Sequence, residues 1–146
     1  MLHHNDVDLS QLSIEGKNYK WKRPICPKCS GKVWGHGFAT AFFSGHESIF
    51  YLKKYRCPSR GCRAVITMRP SQFWKKFQTD IDCIFNALSQ RLESRTWPPW
   101  VTRQRGGHWL RKFIKKVKMN YGLDNQGVGL GERLRQFYEK SLHFFN

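Results

Sequence analysis

The chain has 146 residues, 26 Lys plus Arg against 10 Asp plus Glu, a formal net charge of +16 and five Cys. That length holds one ordinary domain or two very small ones and excludes the large catalytic folds. With 40% apolar and 15% aromatic residues, the chain has the material for real cores, which excludes wholesale disorder.

The first 22 residues are polar and mixed in charge, and are expected to form a flexible N-terminal arm. From Cys26 to Pro70 the pattern changes to short strands. Val33 to Phe43, Glu47 to Cys57 and Ala64 to Pro70 are rich in β-branched and aromatic residues, with Ser44-Gly45-His46 as a turn. After Pro70, Phe73, Phe77, Ile81, Ile84, Phe85, Leu88 and Leu92 recur at steps of three and four, which predicts a helix from Ser71 to Glu93. Pro98 and Pro99 end it. Thr102 is placed to cap a second helix, in which Trp109, Leu110, Phe113, Ile114 and Val117 share a face, and Gly122 is placed to terminate it. A glycine-rich linker with Gly127, Gly129 and Gly131 leads to a last amphipathic helix over Leu130, Leu134, Phe137, Tyr138, Leu142 and Phe145. The linker lacks a preceding strand and a following Lys-Ser/Thr pair, so it reads as a hinge and not as a phosphate cradle.

The cysteines carry the most specific signal. Cys26-Pro27-Lys28-Cys29 and Cys57-Pro58-Ser59-Arg60-Gly61-Cys62 are two knuckles separated by strands. Paired in space, they would supply the four tetrahedral sulfurs that Zn2+ prefers, in a closed structural site with no open position for water. Three strands bury little by themselves, which raises the need for such a staple. Disulfides are the competing use. Met1 to Ser13 has neither the basic start nor the apolar run of a signal peptide. A reducing cytoplasm is the expected compartment, and there a metal is favoured. His36 and His46 lie between the pairs and are alternative ligands. Cys83 falls on the apolar side of the first long helix and reads as a buried, inert thiol.

Charge is segregated. From Glu15 to Glu47 there are six cations and no acid, from Glu47 to Asp80 eight more, and from Glu93 to Asp124 another eight, so three acid-free intervals hold 22 of the 26. A solubilising surface mixes both signs. This pattern is that of a polyanion binder, with DNA or RNA as the partner, because neutralised phosphates release their counterions. No segment is long and apolar enough to cross a membrane, and no basic segment has the broad apolar face that docking on one needs.

Trp97 to Arg111 reads as the turn and second helix of a helix-turn-helix. Its start, Thr102, Arg103, Gln104 and Arg105, carries residue types that reach base edges, since Arg reads guanine and Gln adenine. His108, Arg111, Lys112, Lys115 and Lys116 extend the surface and suit phosphates, as do Lys53, Lys54, Arg56, Arg60 and Arg63 in the strand region. Gly106-Gly107 opposes a helix here by about 2 kcal/mol relative to alanine. Either a close approach requires these glycines, or the helix begins only at Gly107.

With these features in view, the chain resembles the short zinc-ribbon plus helix-turn-helix proteins of bacterial insertion sequences, of transposase N-terminal or accessory type. The likeness rests on Cys26-Pro27-Lys28-Cys29, Tyr55-Arg56-Cys57 with Cys62, Thr67-Met68-Arg69-Pro70, and Pro98 to Arg105 followed by His108-Trp109-Leu110. It implies Zn2+ held by Cys26, Cys29, Cys57 and Cys62, and a DNA-binding role with a separate transposase or another protein as a partner. A complete transposase would carry an acidic catalytic triad. Here the acids are scattered, and Asp124, Glu132 and Glu139 are all that follow the reading helix.

The resulting expectation is an α+β chain: a small antiparallel four-cysteine zinc ribbon over residues 23–70, a helix-turn-helix region over 71–121, and a glycine-rich linker with a C-terminal amphipathic helix over 122–146. The expected function is non-catalytic, sequence-specific binding of double-stranded DNA, with no small-molecule substrate. A structured-RNA or ribosome-associated protein, stacking bases on Trp34, Phe38, Tyr51 or Tyr55, is the first alternative. An adaptor that recruits a catalytic partner is the second.

Overall fold

The computed structural model describes residues 1–74, 77–121 and 128–143. Lys75, Lys76, Gly122, Asp124, Gly127, Phe145 and the side chain of Leu142 lie outside the described residues. The fold is α+β and divides into two compact units, with the division after Asp80.

The first unit is built on a four-stranded sheet. Its strands are β1 (Leu2–Asn5), β2 (Trp34–Ala41), β3 (Phe50–Arg56) and β4 (Val65–Pro70), in spatial order β1-β4-β3-β2. The three strands expected from β-branched and aromatic content are present and pair antiparallel, β2 with β3 and β3 with β4. A bulge interrupts β2 between Gly35 and Phe38, and Gly37 takes the left-handed backbone that the extra residue requires.

The N-terminal residues are not an arm. Leu2–Asn5 pairs parallel to β4, with Leu2 opposite Thr67 and Asn5 opposite Pro70. Asp8 then caps α1 (Leu9–Glu15) by accepting from the backbone N–H groups of Ser10 and Gln11. Leu12 and Trp21 are buried in the same core as Phe50, Leu52, Tyr55, Ile66 and Met68. No local signal reveals β1, because its partner is some 65 residues away in sequence.

The expected helix over 71–93 starts ten residues late, as α2 (Ile81–Ser94). Phe73 and Phe77 mimic its period but belong to the sheet unit. Phe73 stacks on Phe43 with ring centroids 3.9 Å apart. The Arg69 guanidinium donates to the carbonyl oxygens of Phe73 and Phe77, and it lies over the Phe43 ring. Backbone acceptors that a helix would use internally are thus satisfied from β4.

The second unit holds α2, α3 (Arg103–Tyr121) and α4 (Leu130–His143). Ile81, Ile84, Ala87, Leu88, Val101, Trp109, Phe113, Val117 and Leu134 are its buried apolar residues. Phe85 stacks on Tyr138, whose hydroxyl donates to Asp82, and Phe113 meets Phe137 edge-on. Leu130, expected on the apolar face of α4, is exposed. Cys83 is half-buried, not fully enclosed. Among the described residues, no helix is long and apolar enough to cross a membrane.

Candidate metal centre and candidate nucleic-acid surface

Register brings the cysteines together. Trp34 opens β2 opposite Arg56 at the end of β3, and Arg56 lies opposite Val65 at the start of β4. Cys26 and Cys29 precede β2, while Cys57 and Cys62 fill the β3–β4 connection, so both knuckles fall at one end of the sheet. Their sulfurs all lie within 4.8 Å of one another, and no His or carboxylate among the described residues joins them. His36 is exposed on β2 and His46 lies edge-on to Phe50, so neither replaces a cysteine.

Each knuckle is shaped by its own backbone. In the first, Cys26 N–H donates to Gly31 and Ser30 N–H donates back to Cys26. In the second, Cys57 N–H donates to Ala64, while the Ser59 carbonyl accepts from both Cys62 and Arg63. That shared carbonyl absorbs the two additional residues of the longer Cys57–Cys62 spacing. Ser30 and Arg63, each immediately after the second cysteine of its pair, take positive φ values of 54° and 44°.

The donor set fits a tetrahedral metal. Cys26 Sγ is 3.5 Å from Cys62 Sγ and Cys29 Sγ is 3.4 Å from Cys57 Sγ. Metal–sulfur bonds of about 2.3 Å give tetrahedron edges of about 3.8 Å, whereas a disulfide needs about 2.0 Å. All four thiols are free. The Ser59 hydroxyl and backbone N–H pull Cys57 down to about 6. The N–H groups of Lys28 and Cys29 lower Cys26. Cys62 receives a lowering bond from the Ala64 backbone, but burial and its three thiol neighbours push it up to about 12. Four packed thiols release their protons in steps, and a bound cation would displace the last of them. Ser59, whose hydroxyl and N–H bond the Cys57 sulfur, is not singled out by the cysteine spacing alone. Lys28, Arg56, Arg60 and Arg63 are exposed around the cluster.

The rest of that sheet end is uncovered. Trp34 is 60% exposed and Val65 37%, in one row with exposed Arg56, and half-buried Lys54 and Thr67 pair two positions further on, on the same face. Among the other candidate stacking residues, Lys53 covers Phe38 and Lys17 covers Tyr51. Tyr55 is buried with its hydroxyl directed at the Trp21 carbonyl, which removes it from the set.

In the helical unit, Thr102 caps α3 as expected, accepting from Arg105 N–H. Arg103, Gln104, Arg105, His108, Arg111, Lys112, Lys115 and Lys116 are all exposed, and Trp109 and Phe113 anchor the opposite side. Gln104, His108, Arg111, Lys115 and Lys118 step by four and three along one face. They span about 21 Å at about 1.5 Å per residue. No acid occurs in α3. Among the described residues, Arg103, Arg105, Arg111, Lys112, Lys115 and Lys118 have no carboxylate within ion-pair distance.

The connection from α2 to α3 runs over residues 95–102, longer than the three or four residues of a compact helix-turn-helix. The paired glycines are explained by a close approach. A Cβ on Gly106 would lie 2.7 Å from two ring atoms of Trp97, and a rigid indole cannot yield. Arg91 covers the same ring at 5.5 Å. Trp97, Gly106 and Arg91 are thus one packing unit, and α3 begins before the glycines.

Comparison with protein families, with curated proteins and with solved structures finds no match for this chain.

Proposed function

We propose that this protein is a non-catalytic nucleic-acid-binding protein that lays α3 against duplex DNA, with the sheet unit closed by a structural Zn2+. The observation that carries the reading is the exposed, acid-free face of α3, on which Arg103, Arg105, Arg111, Lys112, Lys115 and Lys118 have no carboxylate within ion-pair distance among the described residues. A helix fits the major groove, which is about 12 Å wide. In this reading the first turn, with Arg103, Gln104 and Arg105, reaches base edges, while Lys112 and Lys115 hold phosphates. The long connection before α3 makes the motif a helix-turn-helix with an extended turn.

Zinc is favoured over other metals by the all-thiolate donor set and by knuckles carried on strands. Cys26, Cys29, Cys57 and Cys62 would hold it, and the surrounding cations would offset the net negative charge of four thiolates around a divalent ion. The metal would fix the sheet end and supply no reactive position. The resemblance to insertion-sequence proteins makes recognition at mobile-element ends, beside a separate transposase, the biological setting we infer.

The test is titration of fluorescent duplex DNA at several salt concentrations, followed by selection of bound fragments from random duplexes. Steep salt dependence with an enriched motif supports the reading. Salt-insensitive or absent binding overturns it, and magnesium-dependent cleavage by the purified chain would overturn its non-catalytic part.

The exposed Trp34–Arg56–Val65 row favours one second reading, in which unpaired bases stack on Trp34. Competition of the labelled duplex by structured RNA at matched salt separates the two. If RNA displaces the duplex at lower concentration and Trp34→Ala removes the difference, RNA is the target.

A further inference from the structure

Trp97, Arg91 and the first turns of α3 enclose a groove of about 500 Å³, lined by Arg91, Trp97, Arg103, Gln104, Gly107, Leu110 and Arg111. This volume falls in the range of about 300–1,000 Å³ typical of small-molecule sites. Three of its seven lining residues are arginines and none is acidic. None of the three has a carboxylate partner among the described residues.

The groove is also built, not merely left over. Gly106 is obligatory because Trp97 packs where its Cβ would be, which sets the indole as a wall. The Arg91 guanidinium lies over that indole, 5.5 Å from the ring centroid, which places it at the groove wall. At the neighbouring position, a Cβ on Gly107 would come 3.5 Å from a terminal nitrogen of Arg111, so the Arg111 guanidinium folds back over the helix surface toward the groove. Gly106, unfavourable in a helix, is thereby accounted for by the wall of this groove, whereas a Cβ at Gly107 would meet Arg111 only at ordinary contact distance.

We propose that this groove binds the phosphomonoester of a nucleotide. A guanidinium presents a planar fork of N–H donors that matches phosphate oxygens, and three of them around one cavity suit a dianion better than the single charge of an internal phosphodiester. Leu110 and the edge of Trp97 offer an apolar rest for the base and sugar. The Gln104 amide supplies both a donor and an acceptor for a base edge. The nucleotide can be free or can be the terminal residue of a strand. This site does not rest on α3 reading duplex DNA, since a free mononucleotide can occupy it.

The test uses the full chain and measures adenosine monophosphate, adenosine and inorganic phosphate by calorimetry. The monophosphate is expected to saturate one site and to bind at least about tenfold more tightly than adenosine. Arg103→Gln with Arg111→Gln is expected to remove that preference, while Arg95→Gln with Arg135→Gln, which removes equal charge from the same unit, leaves it intact. Circular dichroism of each variant verifies that the helices are retained. A second arm compares duplexes ending in 5′-phosphate and 5′-hydroxyl. Preference for the phosphorylated end, lost in the Arg103/Arg111 variant, identifies a strand end as the source. Equal binding of the two duplexes with intact monophosphate binding identifies a free nucleotide. The proposal is overturned if monophosphate and adenosine bind alike, if the control variant loses as much as the groove variant, or if no arm shows saturation. Salt-dependent binding of the hydroxyl-ended duplex, measured in parallel, judges the DNA reading separately.

Discussion

In the sheet unit, the exposed cations Lys28, Arg56, Arg60 and Arg63 adjoin the four clustered cysteines in sequence, whereas in the helical unit α3 carries its cations on a helix without an acid. The first group has a local reason to exist, because thiolates around a metal need neighbouring positive charge. In the second, Arg103, Arg105, Arg111, Lys112, Lys115 and Lys118 have no carboxylate within ion-pair distance among the described residues, which is the ground for the proposed external partner. Equal blocks of positive charge in one sequence thus have different causes. The two units also differ in what closes them: a thiol cluster at one sheet end, against interlocked aromatic rings among helices.

The largest break in that comparison is removal of a ligand. Cys57→Ser is expected to lose the bound metal, forfeiting on the order of 10 kcal/mol, which matches or exceeds a whole domain's stability. The sheet unit should unfold while the far-ultraviolet helix signal largely remains, as measured by metal content per chain together with circular dichroism. Complete loss of helix would show that the two units do not fold separately. Fully oxidised cysteines in metal-free wild-type protein would remove the metal site altogether.

Acid should act on the same unit. Cys62, pushed up to about 12, keeps its proton at neutral pH, so metal binding must displace it. Affinity therefore falls at least about tenfold for each pH unit lowered. Below about 6, Cys57 also takes up a proton, and the slope steepens. Competition with a chelating dye across pH 5 to 8 measures both slopes, and a flat profile would contradict thiolate ligation.

Trp109→Ala is the matching break in the helical unit. Removing a buried indole is expected to cost about 3–5 kcal/mol and to leave metal content unchanged. Gly106→Ala is a test of sign. Helix propensity alone predicts stabilisation of about 1 kcal/mol, whereas the clash with Trp97 predicts a loss of about 1–3 kcal/mol. A higher unfolding temperature for this variant would mean that Trp97 does not pack there.

The smallest effect concerns the surface. Lys115→Ala should weaken all duplex sequences alike and reduce the salt slope by about 1, while Arg105→Ala should relax discrimination at one position by about 1–3 kcal/mol. Equal losses on every sequence for both variants would remove base reading from the first turn of α3.

Much of this site was legible before any coordinates. The spacing of Cys26, Cys29, Cys57 and Cys62 identified the cluster, and Thr102 marked the start of α3, because knuckles and caps are satisfied within a few residues. The strands β2, β3 and β4 were readable from their own β-branched and aromatic content. Phe73 and Phe77 misled because a four-residue spacing of aromatics is all a periodicity test sees. It does not see Arg69 taking their carbonyls or Phe43 taking the Phe73 ring. Tyr55 looked like a stacking residue because burial is not written in residue type.

By itself, the sequence determined the thiol cluster, the strand and helix types after residue 25 except over 71–80, and the segregation of charge, all of which follow from composition and short-range spacing. Only the tertiary structure decided that Leu2–Asn5 adds a parallel strand, that Gly106 is where Trp97 must fit, and that six of the α3 cations, Arg103 to Lys118, meet no carboxylate among the described residues. Each of these depends on which distant residue arrives in van der Waals or hydrogen-bonding range, and that is set by packing of the whole chain rather than by any local run of residues.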